Sequence, residues 1–477
     1  MIFKRFYDTK LAQASYMIGC QATGEAVVVD PNRDVQQYID MAKQEKLRIT
    51  HVTETHIHAD FVSGARELAQ RAGAQLYLSD EGDADWKYAY AKEAGARLVR
   101  HGDVIHVGNI ELEVVHTPGH TPEHISFLVT DKPAGAGPWG ILTGDFVFVG
   151  DVGRPDLLER AAGYKGTMEA GARTLFRSLE WFRTLPDHLQ VWPAHGAGSA
   201  CGKSLGAVPG STVGYEKIAN WGVATTDEDE FVRMVLDGQP EPPRYFAQMK
   251  RVNKEGPAIL NGFSKARRLG RDLERHAAAG DVIVDTRAAS KFANGFVRNT
   301  INIPLDASFT SWAGWLLPYD RDIYLIVEDD CETCADDAVR DLAMIGLDRV
   351  AGVFGSGVVD KLIARRSDAI DTMPQASAGE VAAMLESGAV HVVDVRGHAE
   401  WESGHLPNVG NIPVGYLQDH IAELPTDKPV VVQCQAGARS AIAASVLKAH
   451  GVPRVINLVG GINAWRKAGL PTENGDA

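Results

Sequence analysis

Apolar and polar residues follow two alternating patterns along the first half of the chain, and these patterns predict strands and helices in turn. Apolar and β-branched runs at 15–20 and 25–30 predict two strands, and the turn residues at 21–24 predict that they form a hairpin. Apolar residues at roughly helical spacing over 35–47 predict a helix, and the run at 49–53 predicts the strand that follows it. We therefore expect the first part of the chain to combine helices with sheet.

Further strands are predicted before a break in the pattern near residue 250. They lie at 110–115, 125–129, 141–143 and 189–192. A helical segment near 230–236 is followed by the proline-rich stretch 240–244, which resists regular structure. This order suits two sheets sandwiched between helices, in a first domain that spans about residues 1–250.

The rest of the chain contains an internal repeat. The apolar segment around Asp285 matches the segment around Asp394, 109 positions later, and Asn-Ile-Pro at 302–304 matches 411–413 at the same separation. Later matches are 105 positions apart, so the first copy carries four extra residues. A repeat of this length predicts two homologous domains.

Each copy of the repeat shows the pattern of a mixed domain. A predicted helix, at 264–278 or 378–387, precedes a buried strand that ends in aspartate, which is typical of an α/β domain with a parallel sheet. We expect these two domains to span 256–366 and 372–477. The chain is thus predicted to be a multidomain protein of the α/β and α+β classes.

The composition excludes several kinds of partner and compartment. Lys and Arg total 48 against 62 Asp and Glu, and the net charge of −14 opposes binding to nucleic acid or anionic lipid. No apolar stretch has the length of a signal peptide core or a membrane span, so we expect a cytoplasmic protein. Five dispersed cysteines are an odd number, which argues against a secreted disulfide framework.

A cluster of potential metal ligands follows the predicted strand 49–53. His56, His58 and Asp60 place two imidazoles and a carboxylate in one turn at the end of a strand, which indicates a metal site. A site for two metals would need another ligand after Asp60, and Phe61 cannot coordinate an ion. One metal is therefore favoured over two.

Three later residues have the same character. His120 lies in a Pro-Gly-His-Thr turn, Asp145 ends a strand in Thr-Gly-Asp, and His195 ends another in Pro-Ala-His. Any one of them could be an ordinary polar residue at a sheet edge. Together with the His56 cluster they favour a metal centre.

These motifs, with Gly153-Arg154-Pro155-Asp156 after Asp145, resemble the metallo-β-lactamase fold, and more narrowly its persulfide dioxygenase branch, over about residues 1–250. The resemblance implies an αββα sandwich. It also implies one iron(II) per chain, held by His56, His120 and Asp145. The resemblance further implies that His58, Asp60 and His195 surround these ligands as supporting residues. Two histidines and one carboxylate leave part of an iron ion open for O2 and a substrate ligand.

The remaining histidines and Arg154 carry weaker signals. His51, His101, His106, His116 and His124 have no matching motif position, and packing in the core or on the surface explains them. Arg154 has two interpretations: it could hold an anionic thiol substrate such as glutathione persulfide, or it could pair with Asp156. The sequence does not choose between them.

A second chemical motif follows the apolar strand 430–433. Cys434 begins the loop Cys-Gln-Ala-Gly-Ala-Arg before a predicted helix, so its thiolate would face backbone amides and a helix N-terminus, with Arg439 nearby. The loop resembles the rhodanese active loop, within a resemblance over about 372–473. This resemblance implies that Cys434 carries a sulfur atom. The anion would be held by Gln435, Ala436, Gly437 and Ala438. Four residues separate Cys434 from Arg439, one fewer than in phosphatase loops, which favours sulfur over a larger phosphate.

The other cysteines have less certain roles. The separation of 105 sets Asp329 opposite Cys434 in an acidic loop, so the first rhodanese-like domain is expected to be inactive; a shifted alignment would instead put Cys331 at the nucleophile position. Cys331 and Cys334 also form a Cys-x-x-Cys pair, for which a structural role and redox activity are both open. Cys201, in a glycine-rich loop after His195, could relay sulfur near the metal or be an ordinary loop residue. Cys20 is expected to fill core space.

Three functional hypotheses follow from these motifs. The leading one is a bifunctional enzyme that uses O2 to oxidise a low-molecular-weight thiol persulfide to sulfite, and moves sulfur through Cys434 to make or use thiosulfate. The second is a dinuclear zinc thioester hydrolase resembling glyoxalase II. The third is a noncatalytic carrier or sensor of polysulfide. The thiol that carries the persulfide, and whether the chain forms a homo-oligomer, are left open.

Overall fold

The computed structural model describes residues 1–135, 137–160 and 166–474. The predicted first domain includes residues 136 and 161–165, and the predicted last domain includes 475–477; these lie outside the described residues. The chain divides into two compact units, Met1–Phe263 with Ala343–Gly346, and Ser264–Leu342 with Leu347–Ala477. Each unit is built on its own sheets.

The first unit contains the strands that the hydrophobic pattern predicts. Its strands are β1 (Ile2–Asp8), β2 (Gln13–Cys20), β3 (Glu25–Val29), β4 (Arg48–Thr53), β5 (Gln75–Ser79), β6 (Arg97–Val99), β7 (Val104–Val107), β8 (Ile110–His116), β9 (Ile125–Asp131), β10 (Gly140–Gly144), β11 (Gln190–Pro193) and β12 (Ser211–Thr212). Its helices are α1 (Gln36–Gln44), α2 (Ala65–Ala72), α3 (Leu157–Arg160), α4 (Thr167–Thr184), α5 (Val213–Ala219), α6 (Trp221–Ala224), α7 (Glu228–Leu236) and α8 (Tyr245–Glu255), with a 3-10 turn at Ala84–Trp86. The predicted hairpin is confirmed, since β2 and β3 pair antiparallel with Cys20 opposite Glu25.

These strands form two sheets whose facing sides make a core. The strand orders are β1-β2-β3-β4-β5-β6 and β12-β11-β10-β9-β8-β7. Successive side chains of a strand point to opposite faces, so Tyr16 and Ile18 of β2 pack between the sheets while Met17 packs with the helices on the outer face. On the other sheet, Leu179 and Phe182 of α4 lie in the outer core. The predicted αββα sandwich is confirmed.

The chain geometry brings the candidate ligands to one edge of this sandwich. The turn after β4 carries His56, and the backbone N–H of Ile125 at the start of β9 donates to the Thr55 carbonyl at 2.8 Å. Strands β10 and β11 are parallel, so Asp145, directly after β10, and His195, two residues after β11, emerge at the same end.

The second unit contains two parallel sheets. Its strands are β13 (Val282–Asp285), β14 (Phe296–Val297), β15 (Thr300–Asn302), β16 (Ile323–Val327), β17 (Val350–Gly355), β18 (Ile370–Asp371), β19 (Gln375–Ala376), β20 (His391–Asp394), β21 (Gly410–Asn411), β22 (Val430–Gln433) and β23 (Val455–Leu458). Its helices are α9 (Leu273–Ala278), α10 (Ala289–Asn294), α11 (Phe309–Leu316), α12 (Cys334–Met344), α13 (Ser356–Ala364), α14 (Ala378–Glu386), α15 (His398–Glu402), α16 (Ala438–Ala449) and α17 (Gly461–Lys467), with a 3-10 helix at Val414–Glu423.

The two parallel sheets share a strand order, which reflects the repeat. The orders are β15-β13-β16-β17 and β19-β23-β22-β20-β21, so β13 corresponds to β20 and β16 to β22. The predicted helix at 264–278 was too long, because α9 covers Leu273–Ala278 alone. Before it the chain is extended, and Leu269 donates to the Val353 carbonyl at 2.8 Å. Within the described ranges, every helix is too short or too polar to cross a bilayer.

Candidate metal centre and cysteine loop

Three of the predicted ligands meet at the edge of the sandwich. One ligand atom from each of His56, His120 and Asp145 lies within 4.8 Å of the others. The Asp145 Oδ2 atom is 3.4 Å from His120 Nε2 and 3.8 Å from His56 Nε2. All three side chains are buried. The structure thus brings together residues that are far apart in sequence.

Hydrogen bonds to the far side of each imidazole set the direction of its free nitrogen. His120 Nδ1 donates to the Arg154 carbonyl at 3.0 Å, which leaves Nε2 as the lone-pair atom toward Asp145. His56 Nδ1 lies 2.9 Å from Thr55 Oγ1, and that hydroxyl donates to the carboxylate of Asp30 at 3.0 Å. Both rings therefore present Nε2 to the centre.

The electrostatics of these groups suit a divalent cation. Burial, together with the neighbouring histidines, holds the pKa of His56 well below its usual value, and burial also lowers the pKa of His120. Neither carboxylate oxygen of Asp145 has a hydrogen-bond partner among the described residues. Neutral imidazoles and an unpartnered carboxylate are a donor set that fits a metal such as iron(II).

His58 lies next to this donor set, with its ring centroid 4.3 Å from that of His56. Its Nε2 atom is 3.2 Å from Asp30 Oδ1. Burial alone would lower the pKa of His58, but the hydrogen bond and charge of Asp30 raise it to about 9. His58 is therefore a partner of Asp30 beside the centre.

A second group of potential ligands adjoins the first. Asp60, His195 and Cys201 are buried, with one ligand atom of each within 4.8 Å of the others. His195 Nδ1 donates to the Ala12 carbonyl at 3.0 Å, and its Nε2 lies 3.2 Å from Asp60 Oδ2 and 3.5 Å from Asp145 Oδ1. Cys201 thus provides a potential metal ligand beside Asp60, although Phe61, the next residue in the sequence, cannot coordinate an ion. The site therefore contains one donor set of two imidazoles and a carboxylate. Beside it lies a second set of a carboxylate, an imidazole and a thiol.

The absent ligand at position 61 has a structural explanation. Phe61 is fully buried, and its ring centroid is 4.5 Å from that of His58. It fills the core behind the turn, so it is a packing residue and not a gap in a coordination shell.

Hydrogen bonds hold the loop that carries Cys201 in place. The carboxylate of Asp151 accepts hydrogen bonds from the backbone of Lys203 at 2.9 Å and Ser204 at 2.7 Å. The backbone N–H of Arg154 donates to the Cys201 carbonyl at 3.2 Å. Burial, with the charges of nearby carboxylates, raises the pKa of the Cys201 thiol well above its usual value. Backbone hydrogen bonds therefore hold the loop of Cys201, and burial disfavours its thiolate.

Arg154 forms an ion pair with Asp156, which was one of the two roles expected from the sequence. Its Nε and Nη2 atoms donate to the two carboxylate oxygens of Asp156 at 2.8 and 2.7 Å, and both side chains are fully buried. Its Nη1 donates to the Ala200 carbonyl at 3.1 Å. The guanidinium is thus committed to the protein, and Arg154 contributes to the site by supporting the loop that carries Cys201.

Replacing Arg154 by glutamine is expected to lower the free energy of unfolding by about 3–5 kcal/mol, because it leaves the Asp156 carboxylate buried without its cation. It should also expose Cys201, raising its alkylation rate by a maleimide about tenfold under native conditions. Urea unfolding and mass spectrometry measure the two effects. Arg177→Gln, on the exposed face of α4, is the control and should change stability by less than about 0.5 kcal/mol. A destabilised variant with Cys201 still protected would contradict the loop-support role.

The second candidate site surrounds Cys434 at the end of β22. The thiol is buried, and the backbone N–H of Gly437 donates to its sulfur at 3.1 Å. Gly437 adopts a left-handed φ of 102°, and a Cβ there would lie 3.2 Å from the Gly460 nitrogen. Glycine therefore allows the loop to turn its amide onto the sulfur, at the start of α16.

The other predicted loop residues differ in what they contact. The Gln435 side chain donates to Asn463 Oδ1 at 2.7 Å and accepts from Arg396 at 3.4 Å, so it faces away from the sulfur. Ala436 precedes the turn, and Ala438 is the first residue of α16. The sequence predicted that the amides of this loop hold an anion. Within the described structure, the amide of Gly437 is the one that bonds to the sulfur.

Arg439, which the sequence predicts to lie near the sulfur, forms an ion pair with Glu400. Its Nη1 and Nη2 atoms donate to the Glu400 carboxylate at 2.5 and 2.7 Å. These hydrogen bonds, with the charge of Arg439, hold the pKa of Glu400 below its usual value. The pair joins α15 to the cysteine loop, and a direct catalytic role for Arg439 stays a prediction.

Replacing Glu400 by glutamine should test this pair through its pH dependence. Because the folded pKa of Glu400 is lowered, its charge stabilises the fold above the unfolded pKa and loses this effect as pH falls through the folded pKa. At neutral pH we expect a loss of about 0.5–1 kcal/mol, reduced by solvent screening, and a smaller loss at an acidic pH of about 3. Urea unfolding at both pH values measures it, with Glu402→Gln as the control. An equal loss at both pH values would exclude the charge as its cause.

The strand register decides which residue of the middle sheet replaces Cys434. Asp394 lies opposite the residue directly before Cys434, whereas Asp285 lies opposite Ile326. By strand register alone, Val327 is the counterpart of Cys434. A longer loop follows β16, so the equivalence of Asp329 with Cys434, and the alternative with Cys331, concern that loop and stay predictions.

The acidic loop after β16 places a carboxylate against the start of α13. The Asp329 carboxylate accepts from the backbone N–H of Gly357 at 2.7 Å, at the start of α13. Cys331 and Cys334 are joined by a disulfide. Both cysteines of this loop are therefore disulfide-bonded, and its Asp329 carboxylate binds an amide of α13.

Several residues that support the metal centre were missed by the sequence argument. His124 is buried, with Nδ1 2.8 Å from Thr117 Oγ1, and its Nε2 accepts from the backbone N–H of Asp145 at 3.1 Å. Asp30 holds His58, and Asp151 holds the Cys201 loop. A carboxylate at the end of β3 is a signal that could have revealed Asp30, but no pattern in the sequence distinguishes His124 or Asp151.

Two family models match the chain, one for each kind of domain. The metallo-beta-lactamase superfamily model matches residues 8–195, and the rhodanese-like domain model matches residues 377–468. The crystal structure of a metallo-beta-lactamase from Staphylococcus aureus subsp. aureus COL is 45% identical, with a TM-score of 0.67. That match covers 74% of this chain and 98% of the Staphylococcus chain.

Two further relatives match smaller shares of the chain. The mitochondrial persulfide dioxygenase ETHE1 of Bos taurus is 28% identical over 200 residues, which are 41% of this chain and 68% of that protein. A beta-lactamase hydrolase-like protein of Xylella fastidiosa (strain 9a5c) is 27% identical over 290 residues, which are 55% of this chain and 62% of that protein. The chain thus spans about two thirds of the length of these relatives.

Proposed function

Because this chain belongs to the metallo-beta-lactamase superfamily and ends in a rhodanese-like domain, we propose that it is a bifunctional sulfur-metabolising enzyme. Its first site would oxidise a low-molecular-weight thiol persulfide, such as glutathione persulfide, with O2. Its second site would transfer sulfur through Cys434 to make or use thiosulfate. The similarity to a persulfide dioxygenase and the presence of a rhodanese-like domain both support a role in sulfur metabolism.

The observation that carries the oxidation step is the donor set of His56, His120 and Asp145. Bound there, one iron(II) would supply open positions for O2 and for the terminal sulfur of the persulfide. The overall reaction would convert persulfide, O2 and water into free thiol, sulfite and two protons. The protein's part is to fix the imidazoles through their Nδ1 hydrogen bonds and to keep the carboxylate free of other partners.

The transfer step rests on the Cys434 sulfur and the amide that faces it. A persulfide on Cys434 would be attacked at its outer sulfur by sulfite, so that a new sulfur–sulfur bond forms and thiosulfate leaves. The bond to Cys434 breaks, its electron pair stays on the cysteine, and the Gly437 N–H stabilises that thiolate. The reverse direction would load Cys434 from thiosulfate. Cys201, buried beside the donor set, is proposed to relay sulfur near the metal.

The middle segment is proposed to be a rhodanese-like domain without this activity. Its sheet has the strand order of the last domain, and Val327 replaces the nucleophile. We place the three domains at 1–250, 256–366 and 372–477.

Oxygen uptake with glutathione persulfide tests the proposed oxidation. Protein loaded with iron(II) should contain about one iron per chain and consume about one O2 per sulfite formed. The same protein loaded with zinc should consume none. No uptake by the iron form would overturn the proposal, and stable persulfidation of Cys434 without turnover would instead indicate a noncatalytic carrier.

A second candidate function is a dinuclear metal hydrolase of thioesters. It is favoured by the neighbouring group of Asp60, His195 and Cys201, which could hold a second ion next to Asp145. It predicts two zinc ions per chain and thioester hydrolysis that is lost when Asp60 is replaced by asparagine. Metal analysis of the purified protein separates the two functions.

A further inference from the structure

The disulfide of the middle domain occupies the place that a reactive loop occupies in the last domain. Cys331 lies in the loop after β16, and Cys334 is the first residue of α12. The corresponding loop after β22 carries Cys434 and leads into α16. The carboxyl ends of parallel strands are where sheets of this kind hold their ligands.

Among the five cysteines, all in the described part of the chain, the two of this disulfide are the more accessible. Cys331 and Cys334 are both partly exposed, whereas the free cysteines Cys20, Cys201 and Cys434 are buried. The cysteines are three positions apart, so the bond closes only a short loop and restricts the unfolded chain little. Stabilisation of the fold is therefore a weak explanation for it, while exposure makes exchange with an external thiol feasible.

Carboxylates surround the disulfide, and their negative charge discriminates among incoming thiols. Some are engaged: Glu328 pairs with Lys291 at 2.9 Å, and Asp329 accepts from Gly357. Exposed carboxylates on both sides of the cysteines are Asp330, Glu332, Asp336 and Asp337. Their field repels an anionic thiol and attracts a cationic one.

We propose that Cys331 and Cys334 form a thiol–disulfide exchange site that accepts neutral or cationic thiols and excludes anionic ones. The incoming thiolate forms a bond to the Cys331 sulfur, and the bond between the two cysteines breaks with its electron pair on Cys334. The amides at the start of α12 favour Cys334 as the leaving thiolate. A second thiol then displaces the first from Cys331. Two thiols are oxidised to one disulfide, and both cysteines end as thiols.

This activity is distinct from the proposed oxidation and sulfur transfer. It needs no metal, and it uses neither Cys434 nor Cys201. Its failure would therefore leave the proposed function untouched, and the reverse also holds.

Reduction rates with three small thiols of different charge test the proposal on the full chain. Cysteamine is cationic, 2-mercaptoethanol neutral and 3-mercaptopropionate anionic, and rates are compared at equal thiolate concentration. Acid quenching, alkylation and mass spectrometry report the state of the peptide that contains Cys331 and Cys334. We expect cysteamine to react at least about fivefold faster than 3-mercaptopropionate at low salt, and less than about twofold faster in ~0.5 M salt.

A charge variant provides the matched comparison. In Asp330→Asn/Glu332→Gln/Asp337→Asn the preference for cysteamine should largely disappear, whereas Glu386→Gln/Glu423→Gln/Asp427→Asn, with equally exposed carboxylates on the last domain, should keep it. Three results would overturn the proposal: free thiols at both positions after equilibration in an oxidising glutathione buffer, a disulfide that reacts only after unfolding, or equal rates for the three thiols in the unmodified chain.

Discussion

Replacing His120 by alanine is expected to lower oxygen uptake with a thiol persulfide at least about a hundredfold. The variant loses the imidazole whose Nε2 lies 3.4 Å from Asp145 Oδ2, so the donor set falls from three groups to two. Iron content after dialysis should fall with the activity. Oxygen electrode traces and metal analysis on the same samples measure both. The effect should be large because the ring is buried, is oriented by its hydrogen bond to the Arg154 carbonyl, and supplies one of the three donor atoms.

His116 offers a control within the same turn. It is four residues away and only partly buried, and its Nε2 donates to the Pro122 carbonyl at 2.8 Å. His116→Ala should therefore keep its iron and its oxygen uptake within about twofold. If the two variants behaved alike, or if His120→Ala kept both iron and activity, the donor set would be wrong.

Replacing Cys434 by serine is expected to reduce sulfur transfer from thiosulfate to cyanide at least about a thousandfold, while oxygen uptake stays unchanged. Serine retains the position and the amide of Gly437, but its hydroxyl cannot carry a sulfur atom as a persulfide. A coupled assay of thiocyanate formation measures the transfer. Loss of oxygen uptake in this variant would mean that the two activities are not separable, which would contradict the two-site proposal.

Cys20 is the matched control for the loss of a buried thiol. It lies in the core between the two sheets, where the backbone N–H of Asn109 donates to its sulfur at 3.3 Å. Cys20→Ser should leave both activities intact. Equal loss of transfer in Cys20→Ser and Cys434→Ser would point to a general effect on folding.

Patterns of neighbouring residues predicted the fold well, because sheet faces are set by local alternation. The period of two along β2 follows directly from the sequence, and it led to the sandwich without any knowledge of tertiary contacts. The helix predicted at 264–278 failed because spacing alone cannot show that the chain near Leu269 pairs with Val353. Tertiary pairing overrode a local preference there.

The candidate ligands were predictable because each ends a strand in a recognisable turn. The roles of the two arginines were not, since Arg439 meets Glu400 only after α15 folds against the loop, and Arg154 is buried by elements far along the chain. Phe61 shows another limit. A ligand for a second metal was expected only at the position after Asp60, whereas Cys201 approaches Asp60 from a different loop.

Arg154 connects two parts of the first site that the sequence treats as separate. Its carbonyl accepts from the metal-facing His120, and its backbone N–H donates to the Cys201 carbonyl. Opening the cysteine loop would therefore disturb a ligand histidine through one shared peptide segment. By thermodynamic reciprocity, whatever factor metal binding contributes to keeping that loop closed is the factor by which loop opening weakens the hold on the metal. Opening of the Cys201 loop and release of a bound ion would then be coupled steps of one equilibrium.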